Sequence, residues 1–201
     1  MLNWVYNKHK MKKLIAKSQL LNQSDFEYRL QSVGMELGPT VWQHERIYLP
    51  SDWQYGRNMP RLVLRTEVYA VDQPAFYSIY LKRHIEDSGI DIVDLTSVGD
   101  YTEAANIIHQ LGFRKTAEVS RQRRELSLDS HTAIYLDQVE GVHDAFVKIE
   151  AEVKDGDHIE ALKVDLLNTL AMLGQKTYTE QPYFDLMKND MQAYLLPSSR
   201  L

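Results

Sequence analysis

The chain has 201 residues, 44% of them hydrophobic and 25% charged, with a net charge of −5 at neutral pH. That length supports one sizeable core or at most two small domains, and the acidic balance argues against a general nucleic-acid binder. The absence of cysteine excludes a disulfide framework, a thiolate metal site and a Cys nucleophile, and fits a reducing cytoplasm.

Residues 1–12 hold Trp4 and Tyr6 among Lys8, His9, Lys10 and Lys12, and read as a loosely held basic N-terminal arm. No apolar run follows those bases and no stretch reaches a transmembrane length, so neither a signal peptide nor a membrane partner is expected. A cytoplasmic protein is the expectation. From Lys13 to Leu20 the residues alternate, with Lys13, Ile15, Lys17 and Gln19 on one side and Leu14, Ala16, Ser18 and Leu20 on the other. That period predicts a strand.

Three helices are each marked by a cap residue followed three positions later by a glutamate, Ser24 with Glu27, Asp100 with Glu103 and Asp157 with Glu160. At that spacing the two side chains satisfy orphan amides of the first turn. The helices end at Gly34, Gly112 and Gly174, and each is apolar on one face: Phe26, Leu30 and Val33, then Ala104, Ile107, Ile108 and Leu111, then Ile159, Leu162, Leu166, Leu170 and Leu173. Covering a sheet is the natural role for such helices.

The segments between read as strands: Gln43 to Leu49, Arg61 to Tyr69, Phe76 to His84, Ile90 to Val98 and Thr116 to Leu128. Ile134 to Val153 then reads as two strands turning near Gly141. About eight strands against three helices, mostly adjacent in sequence, predict an α+β protein with a largely antiparallel sheet. No repeat or linker divides it, so a single domain is expected over 13–190, followed by a C-terminal tail over 191–201.

Charge recurs on these strands at the two-residue spacing that places it on one face: Arg61 with Arg65, Lys82 with His84, Arg121 with Arg123, and Lys148 with Glu150 and Glu152. If helices cover the apolar faces, the charged faces point either into solvent or into a closed sheet, and spacing alone leaves both open. A closed or nearly closed antiparallel β-barrel of about eight strands encloses a small ligand. Lined with Arg, Lys and a few carboxylates, it suits a polyphosphate and its divalent cation. Other chemistries lack their motifs. The seven histidines form no H-x-H or HExxH pair, and there is no Gly-rich phosphate loop and no G-x-S-x-G. His109 and His143 read as structural or surface groups. Trp42, Tyr48, Trp53 and Tyr55 suit either packing or stacking of a base at a tunnel mouth.

The stretch from Ile134 to Val153 resembles "LD-x-V-x-G … F-x-E-I-E", a signature of the CYTH superfamily of triphosphate tunnel enzymes. Asp137, Val139, Gly141, Phe146, Ile149 and Glu150 fit the pattern. Arg65 and Glu67 sit as in "L-R-I-R-x-E", and Tyr80-Leu81-Lys82-Arg83 is similar to the strand bearing a phosphate-gripping lysine. Thr96-Ser97-Val98-Gly99-Asp100 with Leu111-Gly112-Phe113 is similar to the "T-x-V-x-D … L-G-F" run of class IV adenylate cyclase-like members. Val119 to Arg123, Gln43-His44-Glu45 and Tyr183 to Leu186 follow in kind. The resemblance implies a tunnel-like barrel acting on a nucleoside triphosphate or inorganic polyphosphate, as a class IV adenylate cyclase-like protein or a triphosphatase, with Mg²⁺ or Mn²⁺ if active. It implies Lys17, Arg61, Arg65, Lys82, Arg121 and Arg123 as the phosphate cradle. Asp137, Glu150 and Glu152 would hold metal, with Glu45 and Glu67 as further acids. No catalytic residue is assigned.

The departures are equally informative. The family's E-x-E-x-K motif is reduced to Lys13-Leu14-Ile15-Ala16-Lys17, and Lys148 stands where the family has a glutamate. In Ile90-Asp91-Ile92-Val93-Asp94-Leu95 a register of one residue decides which acid faces inward. Fewer acids and two added lysines favour an alternative, a non-catalytic module or sensor that binds a polyanion without metal. A barrel serving only as a scaffold for protein contacts is a third reading.

Overall fold

The computed structural model describes residues 9–52, 60–70, 72–85, 90–179 and 181–187. In chain order the elements are β1 (His9–Gln19), α1 (Gln23–Ser32), β2 (Val41–Pro50), β3 (Arg61–Val68), β4 (Phe76–Ile85), β5 (Ile90–Val98), α2 (Tyr101–Gln110), β6 (Phe113–Ser127), β7 (Thr132–Val139), β8 (Phe146–Glu152) and α3 (Ile159–Met172). A further helical turn spans 183–187. The strands close into an antiparallel barrel in the order β1-β5-β4-β3-β2-β6-β7-β8. This is the α+β barrel expected from the strand pattern together with the family resemblance. β1 begins at His9, so His9 to Lys12 are barrel backbone and not part of an arm. Residues 1–8 and the tail 191–201 lie outside the described residues, as do Trp53 and Tyr55.

Burial on the outside of the barrel fixes what points inside. Leu14 and Ala16 of β1, Ile134 and Leu136 of β7, and Val147 and Ile149 of β8 pack with Phe26 and Leu30 of α1 and Leu166 and Leu170 of α3. Val147 and Ile149 have no exposed surface. Each such side chain contributes roughly 1.5–3 kcal/mol on burial. A one-residue slip of β1 or β8 would turn this apolar row inward and the lysines outward, so the outer core sets the register of the inner charges. A second outer cluster joins Tyr48 and Leu64 to Ile108 of α2. Tyr48 is therefore a packing residue beneath a helix, not part of a base-stacking mouth, while Trp42 is exposed.

Two helix caps differ from the sequence expectation. Asn22 caps α1, its side-chain oxygen accepting from the Asp25 amide at 3.1 Å, so Ser24 lies within the first turn. His158 caps α3, because the Asp157 carboxylate accepts instead from the Lys154 amide at 2.7 Å and closes the preceding turn. Asp100 caps α2 as expected, accepting from the Glu103 amide at 2.8 Å. The helices end before Gly34, Gly112 and Gly174, all in the left-handed conformation that glycine adopts without a Cβ penalty. Among the described residues no helix is long and apolar enough to cross a membrane.

Candidate functional site

The barrel encloses a cavity of about 260 Å³. Among the described residues its wall carries eight lysine and arginine side chains, Lys13 and Lys17 from β1, Arg61 and Arg65 from β3, Lys82 from β4, Arg121 and Arg123 from β6, and Lys148 from β8. All six residues expected to form a phosphate cradle thus line one space. They arrive there through the period-two alternation of their strands and the antiparallel register. Arg61 pairs with Lys82, and Lys17 pairs directly with Lys148. Like charges at directly paired positions repel. Here both lysines are also buried, at 5% and 8% exposure.

The buried and part-buried carboxylates of the wall are already engaged. Glu45 accepts from Arg65 Nε at 2.9 Å and from Arg121 Nη2 at 2.5 Å. Gln43 accepts from Arg121 Nε at 2.8 Å and donates to Glu67 at 2.6 Å. Asp91 faces Lys82 at 2.5 Å and His84 at 3.0 Å. Glu150 accepts from Lys13 at 2.9 Å and Lys148 at 2.7 Å. Against the penalty of burial, Arg121 and Arg65 hold the Glu45 carboxyl well below the usual carboxylate range. Lys13 and Lys148 do the same for Glu150. Glu125 lines the cavity from an exposed position.

Asp137 is held in a buried ion pair with Arg123. It has no exposed surface and is gripped by both prongs of Arg123, at 2.6 Å each, and by the Tyr183 hydroxyl at 2.7 Å. It does not line the cavity. Glu152 lies outside the tunnel, facing His131 at 3.3 Å. The three acids expected to hold metal are therefore not brought together. Among the described residues no three His, Asp or Glu side chains converge as a metal-holding group. A divalent cation needs oxygen ligands free to turn towards it. Releasing Asp137 or Glu150 would break a buried ion pair, at a cost of roughly 3–5 kcal/mol each. The residues present do not fit Mg²⁺ or Mn²⁺.

The lysines are the unusual groups. Burial, then the charges of Lys82 and Lys148, pull the Lys17 ammonium down to about 7. Burial, then Arg123, pull Lys148 down to about 7 despite its contact with Glu150. Tyrosine rings separate the cations: Tyr183 lies 4.6 Å from Lys17, Tyr80 4.7 Å from Arg65, and Tyr135 4.3 Å from Arg123 and 4.7 Å from Lys148. These aromatic faces partly offset the desolvation of the charges they meet.

Sequence reading left several participants unassigned. Asp91 faces the tunnel while Asp94 faces outward to Arg83 at 3.0 Å, a distinction that only the register of β5 decides. Tyr80 and Tyr135 are inner-wall residues that the charge pattern of their strands does not single out. Segment 181–184 turns in against the barrel, where Lys17 donates to the Gln181 carbonyl and Tyr183 packs on Phe146 at 5.3 Å. Only the Tyr183 motif hinted at that segment.

Solved structures share this fold. The PH1819 protein of Pyrococcus horikoshii OT3 has a TM-score of 0.77 at 18% identity, covering 88% of this chain and 98% of that one. A candidate adenylate cyclase of Vibrio parahaemolyticus has a TM-score of 0.73 at 12% identity, covering 92% and 99%. An adenylyl cyclase candidate from Hippeastrum, described as having a dominant triphosphatase activity, has a TM-score of 0.59 at 14% identity, covering 95% and 100%. At such identities the likeness is one of fold. No protein with a curated description matches the sequence. The sequence does match the CYTH domain over residues 21–184, most of its length, and the chain belongs to the CYTH domain family.

Proposed function

We propose that the tunnel binds a triphosphate-bearing anion, a nucleoside triphosphate or inorganic polyphosphate, and holds it by fixed lysine and arginine charge without a divalent cation. The observation that carries this reading is the buried Lys17–Lys148 pair. Two lysine side chains at directly paired positions on β1 and β8 face the tunnel cavity, and an anion between them relieves both repulsion and desolvation. Lys13 and Lys148, gathered on Glu150, stand where the resemblance places acids.

A catalytic reading draws support from the Hippeastrum neighbour's described triphosphatase activity. It asks this chain to stabilise the developing phosphoryl charge by its lysines and arginines alone, since its acids are held in ion pairs. Binding is the reading the geometry favours.

The test is thermal unfolding with ATP, tripolyphosphate or pyrophosphate, each with Mg²⁺, Mn²⁺ or EDTA. A ligand at a hundredfold its Kd adds about 2.7 kcal/mol, or roughly 5–11 °C for a chain of this size. The expected shift is as large in EDTA as in metal. A shift that needs metal contradicts the metal-free reading, and no shift with any ligand contradicts binding itself.

A further inference from the structure

We propose that Lys17 is a proton-coupled oxyanion subsite, where an oxygen of the bound anion replaces the Gln181 carbonyl and the lysine takes up one proton as the anion enters. The inference rests on the anion-binding reading above and adds how that binding responds to pH.

Lys17 differs from the other tunnel lysines. Lys13 and Lys148 each lie within 2.9 Å of Glu150, and Lys82 lies 2.5 Å from Asp91. Among the described residues Lys17 has no carboxylate within ion-pair distance, and its nitrogen meets a peptide carbonyl and a tyrosine ring. A backbone carbonyl is a neutral acceptor, so it satisfies a hydrogen without balancing a charge. The Gln181 oxygen occupies the place an anionic oxygen would take, and ligand entry exchanges one acceptor for the other.

The charged neighbours act from every side. Lys148 of β8 faces it directly and Lys82 of β4 acts from two strands away, both disfavouring the ammonium. Asp137 of β7 and Asp91 of β5 favour it, but each is held by its own cations. Arg121 of β6 lies over the same Tyr183 ring at 5.8 Å, and the Tyr183 hydroxyl itself is kept neutral by burial and by Asp137. Burial and like charge together bring Lys17 down to about 7, so near neutral pH a good share of the molecules carry it uncharged. An anion in contact restores the ammonium, and the proton comes from solvent.

By linkage, affinity falls by up to about tenfold per pH unit above about pH 7. Phosphates titrate in the same range, so sulfate, whose charge stays constant there, is the control ligand beside tripolyphosphate. Calorimetric titration at about pH 8, in two buffers of different ionisation enthalpy, reads the protons taken up. The wild type is expected to take up about one per anion. Lys17→Arg, which keeps its charge throughout, is expected to bind with about one proton fewer and a flatter pH profile.

If the arginine variant fails to fold, a ¹³Cε titration of the wild-type lysines replaces it. A lysine signal that persists in Lys148→Arg and titrates near 7 without ligand and far higher with tripolyphosphate supports the subsite, and all lysines titrating near the usual 10.4 overturn it. Binding without proton uptake, or undiminished uptake in Lys17→Arg, overturns this inference and leaves the anion-binding reading intact. No binding of either anion at any pH overturns both.

Discussion

Asp137→Asn separates a structural carboxylate from a metal ligand. The substitution keeps the side-chain volume and removes the charge, leaving Arg123 buried with its fork facing an amide. Arg123 and Asp137 have side-chain exposures of 7% and 0%, so water screens neither partner. Breaking a buried pair of this kind costs roughly 3–5 kcal/mol, because the surviving charge loses its contacting counter-charge. One kcal/mol moves the midpoint of a chain this long by about 2–4 °C, so the midpoint should fall by roughly 6–20 °C. The assay is thermal or urea unfolding of the purified variant and wild type, in EDTA and again in Mg²⁺. The same loss is expected in both, because the partner lost is Arg123 and not a metal. A change below about 1 kcal/mol in EDTA, or a loss seen only with Mg²⁺, would refute the structural role of Asp137.

Further expectations concern the same tunnel. Lys148→Glu replaces an ammonium by a carboxylate beside the cavity, and tripolyphosphate affinity in EDTA should fall at least about tenfold, read by calorimetry; unchanged affinity would remove Lys148 from the site. Glu45→Gln leaves Arg65 and Arg121 without their shared carboxylate and should cost roughly 3 kcal/mol or more in urea unfolding. The ligand-free protein should gain stability as pH rises from about 7 towards the usual lysine value, since folding lowers the Lys17 and Lys148 ammoniums and the unfolded chain then binds more protons. Urea midpoints across that range read it, and a flat profile would contradict it. On the acid side, Glu45 and Glu150 are held below their ordinary range, so their stabilisation is lost as pH falls through about 4 and below.

The fold was legible where alternation is strong. The Arg61–Arg65, Arg121–Arg123 and Lys13–Lys17 spacings put charge on one face, but spacing left solvent and a closed sheet both open, and it was the family resemblance that pointed to the barrel. Features settled by partners distant in sequence were not legible. Nothing local shows that Asp137 meets Arg123 and Tyr183, or that Glu152 falls beyond the end of the tunnel. Asp91 and Asp94 are equivalent until β5 is registered against β1, where Asp91 falls opposite Lys13. The caps show the same limit on a small scale. Asn22 and Ser24, like Asp157 and His158, are all competent acceptors, and the exit geometry of the preceding chain chooses between them.

The most direct test of metal-free anion binding is equilibrium dialysis of labelled tripolyphosphate against the protein in EDTA, repeated with Mg²⁺ and at rising salt. Saturable binding that EDTA leaves unchanged and salt weakens steeply is the expected result, since fixed charge supplies the attraction. Binding that vanishes in EDTA and returns with Mg²⁺ would contradict it, and would mean that the ion pairs around Glu150 and Asp137 open to admit a metal.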